Sequence, residues 1–291
     1  MLPIKSTKLF KVTDTHLHLP RASLSGCIRA YVSRSTIGID LEPHEMLNHY
    51  PASPLLAMTW TIKGQGVLVS QGGVAQAHGP PAPITVSGPQ TMPSVTDNAG
   101  AMHGFMVLFM PDAIQALTGI DVTQLVDRYL PMSQVFDTNW QDMALAVLYA
   151  PDERQRIQCL EAFLMPRWRT CQTGLVQGVP RYREWMTSLA TRAALSGVGK
   201  STRQAERRVK LWAGQSLQGL RGLARAESSF FDMRQASERD MLSWAELAFN
   251  AGFSDQAHMC REIRRITGFS PEEIRRAIET DESFWVYRLW Q

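Results

Sequence analysis

Leu247-Ala248-Phe249-Asn250-Ala251-Gly252-Phe253-Ser254-Asp255-Gln256-Ala257-His258-Met259-Cys260-Arg261-Glu262-Ile263-Arg264-Arg265-Ile266-Thr267-Gly268-Phe269-Ser270-Pro271 is the stretch from which the fold is read. Met259, Ile263 and Ile266 stand at i, i+4, i+7, the spacing of one apolar helix face. A capping residue, Ser254 or Asp255, precedes them, and Gly268 follows as a stop. Upstream, 244–250 reads as a shorter helix and Ala251-Gly252-Phe253 as the turn. The unit is a helix-turn-helix.

The same unit is written 54 residues earlier. Ala205, Val209 and Trp212 map onto Met259, Ile263 and Ile266, Arg207 onto Arg261, and Lys210 onto Arg264. Gly214 maps onto Gly268, Ser216 onto Ser270, and Ala193-Ala194 onto Leu247-Ala248. The first copy reads as a short helix over 189–195, a turn at Gly197-Val198-Gly199, a cap at Ser201 and a stop at Gly214. Between the copies Leu217, Leu220, Ala224 and Phe231 share one stripe, which predicts a connecting helix that fixes the separation of the units. Two recognition helices reading successive major grooves on one DNA face need about one duplex turn, ~34 Å, between them.

The polar faces carry the chemistry. Arg203, Arg207 and Lys210 stand at i, i+4, i+7. Arg203 lies two residues before Ala205, about 200° around the helix at ~100° per residue, so this face opposes the apolar one. In the second copy Gln256, Arg261 and Arg264 lie outward, with His258 beside them. Arg and Gln can fork onto guanine and adenine edges, and side chains at the front of a second helix can enter a major groove. Charge agrees with this. Residues 197–226 hold seven Lys and Arg against the single acid Glu206, and 181–291 hold 18 basic against 14 acidic residues, inside a chain of net charge +3. A solvated face would mix the signs more evenly, and an Arg-rich stretch suits a polyanion.

With those residues in view, 185–278 resembles the DNA-binding domain of AraC/XylS-type bacterial transcription regulators. The resemblance rests on the apolar-Ala pair, the Gly-Phe turn, the polar helix start, the Arg-rich helix and the Gly-Phe-Ser-Pro end over 247–271, and more weakly on 201–209. The family usually has Phe where Val209 and Ile263 stand, and Pro where Leu217 follows Ser216. The resemblance implies base contacts by Arg203, Gln204 and Arg207 in the first unit and by Gln256, His258 and Arg261 in the second. Ser201 and Lys210 are placed for phosphate, which positions rather than specifies.

The amino-terminal half reads differently. Over 25–110, apolar runs at 55–62, 67–69, 84–86 and 104–110 alternate with Gly, Pro and Asn clusters, which suggests a small barrel or sandwich. After Pro111 the texture becomes helical: a short helix opened by Asp112, a second capped by Asp121, and longer amphipathic stretches at 140–149 and 152–164. Residues 170–180 read as a linker. Pro51, Trp60, Gly88-Pro89-Gln90-Thr91 and the helices after Pro111 are similar to the cupin-like sensor domain of one subgroup of these regulators. In the family such domains often bind a small effector and mediate dimerisation.

Other chemistries are weaker. Residues 194–201 satisfy a relaxed phosphate-loop pattern, but no buried apolar strand precedes it to aim its amides. His44 and His49 resemble a zinc-protease pair with one residue too many, so on a helix they point ~140° apart. His16 and His18 share a strand face, but no Glu and third His follow at cupin spacing. Cys27, Cys159, Cys171 and Cys260 lie far apart with no CxxC, which suits a reduced cytosolic protein. No apolar run approaches the ~18 residues of a membrane helix, and the basic, unblocked start disfavours a secretory signal.

At 291 residues and 44% apolar, two domains are expected. The prediction is an α+β two-domain chain: 1–178, a cupin-like β-barrel with trailing helices that senses and dimerises, and 179–291, an all-α double helix-turn-helix domain. The expected function is sequence-specific transcription regulation in the cytoplasm, with duplex DNA as partner and with RNA polymerase, a small-molecule effector and a second copy paired through 140–164 as further partners. No cofactor, metal or catalytic residue is assigned. The rival reading is a cupin-like small-molecule binder or enzyme whose helical half serves protein interaction.

Overall fold

The computed structural model describes residues 13–76, 82–171, 181–196, 201–238 and 243–289. The first half holds two antiparallel sheets. One is six-stranded, in the order β1 (Asp14–His18), β2 (Ile28–Ser35), β9 (His103–Phe109), β4 (Leu56–Lys63), β7 (Ile84–Ser87), β10 (Tyr129–Pro131). The other is four-stranded: β3 (Leu47–Tyr50), β8 (Ser94–Asp97), β5 (Val67–Gln71), β6 (Val74–Ala75). The β-rich reading holds, and the four predicted apolar runs fall on β4, β5, β7 and β9. The edge strand β1 was outside the predicted span, because Asp-Thr-His-Leu-His offers little apolar alternation.

The two faces of the large sheet differ. Alternation along β2, β4 and β9 puts Val32, Arg34, Thr59, Gly104 and Met106 on the face toward the small sheet, around a cavity of about 30 Å³ closed by Trp285. That volume holds a water or two. The opposite face carries Tyr31, Trp60 and Phe105, all fully buried. It is covered by α2 (Thr138–Tyr149) and α3 (Glu153–Cys171), and the Trp60 indole donates to the Ala144 carbonyl at 2.8 Å.

Three helical expectations need adjustment. The first helix, α1 (Pro111–Thr118), begins at Pro111 without a side-chain cap; Asp112 instead accepts from Trp185 Nε1 at 2.9 Å and pairs with Arg192. Asp121 does cap its element, but that element is a single 3₁₀ turn, Val122–Leu125. α3 runs through Pro166 to Cys171 rather than ending at 164, because Trp168 continues the buried stripe of Leu160 and Leu164. The proposed linker and domain boundary fall mainly on 172–180, outside the described residues.

The second half is helical: α4 (Tyr182–Leu195), α5 (Thr202–Ala213), α6 (Leu217–Glu238), α7 (Trp244–Ala251), α8 (Gln256–Thr267), α9 (Pro271–Thr280) and α10 (Trp285–Arg288). The duplicated unit is present as α4–α5 and α7–α8, and the connecting helix as α6. α6 packs on both units, and Leu220, Leu223 and Ala224 are buried along it. The first turn, at 197–199, lies outside the described residues. In the second, Gly252 has φ +84°, a left-handed stop that Gly adopts without strain.

Both units dock on one strip of the β half. Ala52 N–H donates to the Ile266 carbonyl at 2.8 Å, and Arg265 Nη1 to that of Thr91 at 3.4 Å. Gln215 Nε2 donates to the Gln90 carbonyl at 3.1 Å. Gly214 lies against Pro89, Val122 and Val126, and Gly268 against Pro93. The stop of each second helix, equivalent in the repeat, therefore meets the segment around 89–93. None of the described helices is long and apolar enough to cross a membrane.

Candidate nucleic-acid interface

Each second helix starts from a side-chain cap. Ser201 Oγ accepts the Gln204 N–H at 3.3 Å, and Asp255 Oδ1 accepts the His258 N–H at 2.6 Å. The cap of the second unit is thus Asp255, not Ser254, and that N–H holds the Asp255 carboxyl below the usual carboxylate range. Burial splits each helix lengthwise. Val209 and Ala213 are buried in α5, as are Met259, Ile263 and Ile266 in α8.

The side chains predicted to read DNA fall on the other side. Ser201, Arg203, Gln204, Arg207 and Lys210 are exposed in the first unit, and Gln256 and Arg261 in the second. Among the described residues, Arg203, Arg207, Lys210 and Arg261 enter no ion pair. Their guanidinium and ammonium groups are therefore not already satisfied by carboxylates. His258 differs: it is half-buried, its Nδ1 lies 3.0 Å from Ser254 Oγ, and its ring sits edge-on to Phe253. Ser201 accepts through its oxygen, which leaves its O–H to donate.

Not all of the basic residues are available. Arg208 donates to the Ala193 carbonyl at 3.0 Å, tying α5 to the end of α4. Arg264 pairs with Glu273 at 3.0 Å and Arg265 with Glu262 at 2.8 Å. Leu195 and Phe249 are an apolar pair that helix periodicity alone does not single out. They are 80% and 82% exposed at the ends of α4 and α7, and they are related by the same 54-residue offset. That offset is the signal that would have found them. Of the described residues, only His16, His18 and Glu153 are grouped as metal ligands could be, and they lie on the amino-terminal half.

No protein-family model matches the sequence, and no curated protein does. Among solved structures, an apo variant of ToxT from Vibrio cholerae is 10% identical with a TM-score of 0.43, over 84% of this chain and 97% of that one. ToxT from the same organism with a bound unsaturated fatty acid is 11% identical with a TM-score of 0.37, over 79% of this chain and 94% of that one.

Proposed function

We propose that the chain is a sequence-specific DNA-binding transcription regulator, of the AraC/XylS type by the resemblance of its helical half. The observation that carries this is the duplicated helix-turn-helix unit whose second helices present unpaired Arg207 and Arg261 at equivalent positions. Arg203, Gln204 and Arg207 in one unit, and Gln256, His258 and Arg261 in the other, read base edges; Ser201 and Lys210 hold phosphate. α6 and the shared docking strip set the spacing between the two helices. The β half senses and dimerises, with Leu145 and Tyr149 of α2, 46% and 79% exposed, on the pairing surface. A small effector entering between the sheets displaces Trp285, because the cavity there is only about 30 Å³. RNA polymerase is the further partner of such a regulator.

The test is a gel-shift titration against genomic fragments at two salt concentrations. Arg207→Ala and Arg261→Ala each weaken specific binding by ~1–3 kcal/mol and relax preference at one base position. Lys210→Ala weakens all sequences alike and lowers the salt slope. Unchanged affinity in both Arg variants overturns the assignment.

A further inference from the structure

His16 and His18 alternate on β1, whose register sets them opposite Ser33 and Tyr31 of β2. They therefore project from the outer face of the large sheet, the face covered by α3, and not into the space between the sheets. Glu153, the first residue of α3, comes down on the same spot from 135 residues away. Its carboxylate lies 2.9 Å from His18 Nε2 and 3.5 Å from His16 Nδ1. The three ligand atoms lie within 4.8 Å of one another. Ligands bound to zinc at ~2.1 Å stand ~3.4 Å apart in a tetrahedron, so small side-chain rotations close the set.

The surroundings match a metal site in two further ways. His16 Nε2 lies 3.1 Å from Asp14 Oδ1, which leaves Nδ1 facing Glu153. This is the carboxylate–histidine arrangement that fixes the tautomer and raises the basicity of a metal-bound imidazole. Asp14 and Glu153 together supply two negative charges beside two imidazoles. They offset the positive start of α3, which by itself works against a cation. Arg156, although it feels the Glu153 charge, forms no ion pair with it among the described residues and donates instead to the Ala150 carbonyl at 2.8 Å. The imidazoles are about half exposed, 52% and 42%, so ions reach them.

We propose that His16, His18 and Glu153 bind a first-row divalent transition-metal ion such as Zn²⁺, with Asp14 orienting His16. Two imidazoles and one carboxylate suit zinc, cobalt or nickel, whereas magnesium and calcium prefer all-oxygen sites. The remaining coordination positions face solvent and take water. Bound metal pins the edge strand β1 to the start of α3. The proposal goes beyond the DNA-binding reading and does not depend on it.

The test is calorimetric titration of chelator-treated full-length protein with Zn²⁺ alone, with circular dichroism to check the fold of each variant. The expected result is one site per chain. It is lost in His18→Ala and in Glu153→Gln, weakened ~10–100-fold in Asp14→Asn, and unchanged in His44→Ala, a histidine in the 3₁₀ turn Pro43–Met46. Cobalt-loaded protein shows visible d–d bands without thiolate charge transfer, which separates this site from one built on the cysteines. No zinc uptake by the unaltered protein, uptake that survives both ligand variants, or a thiolate band in the cobalt spectrum overturns the proposal.

Discussion

Glu227 is a carboxyl group on α6 that is only 1% exposed. Its oxygens accept the Tyr182 N–H at 2.7 Å and Arg29 Nη2 at 3.1 Å. Burial pushes its carboxyl up, the neighbouring Arg29 and the Tyr182 N–H pull it only part of the way back, and it stands at about 7. Folding therefore takes up a proton here. The stabilisation is fully present below the unfolded value near 4.5 and is lost as pH rises through about 7. The shift corresponds to about 3 kcal/mol. Glu227→Gln keeps an acceptor for Tyr182 but cannot titrate. Stability measured by urea unfolding between pH 4.5 and 8 is thus expected to fall with pH in the unaltered protein relative to the variant, by about that amount. Parallel curves would show that Glu227 is ionised throughout. His49 shifts the other way, its imidazole lowered by burial, but it is common to both proteins and cancels in the difference.

The two helix stops look alike in sequence and differ in their surroundings. Gly214 and Gly268 have φ +74° and +85°, a conformation costing any other L-residue about 1–2 kcal/mol. A Cβ on Gly268 meets only Pro93 at 3.8 Å, an ordinary contact. A Cβ on Gly214 meets Val126 Cγ2 at 2.8 Å and Pro89 at 3.4 Å, so the β half has to yield as well. Gly268→Ala is expected to cost the backbone term alone, and Gly214→Ala ~1–3 kcal/mol more through overpacking. Thermal unfolding of both variants checks the order; equal costs would mean that α5 does not seat closely on the strip. Elements of this kind were legible because they are local. Helical period, cap and stop lie within a dozen residues, and the 54-residue offset repeats them. What lies between elements was not legible. Nothing near Arg208 announces its bond to Ala193, nothing near His18 announces Glu153, and the docking of Gly214 on Pro89 joins positions far apart in the chain. Pro166 is the opposite case, a strong local stop signal overridden because Trp168 had a core to enter.

At the scale of the whole molecule, the chain returns to its start. After α9 it turns back, and Glu282, with no exposed surface, meets Arg34 of β2 at 3.3 Å and also Thr13 and Arg288. Arg34 donates to Asn48 Oδ1 at 2.6 Å, which also accepts the Trp285 indole at 2.8 Å, and its guanidinium lies 4.9 Å from the Trp285 ring. The tail that follows the second helix-turn-helix unit is thereby tied into the sheets, and the same residues close the cavity between them. Burial lowers the Arg34 guanidinium's hold on its proton, and Glu282 counters this. Removing one partner of such a pair leaves the other charge buried, at about 3–5 kcal/mol. Arg288 still reaches Glu282, so Arg34→Ala is expected near the lower end, about 3 kcal/mol in urea unfolding. Glu282→Gln is expected nearer the upper end, about 5 kcal/mol, because Arg34 and Arg288 share that one carboxylate and its loss leaves two guanidinium groups facing a neutral amide. If the tail is held by this cluster, Arg34→Ala also makes the carboxy-terminal residues the first site of limited proteolysis while the sheets persist. A loss below about 1 kcal/mol, with the tail still protected, would place the hold on the aromatic contacts of His49, Phe269 and Phe284 instead.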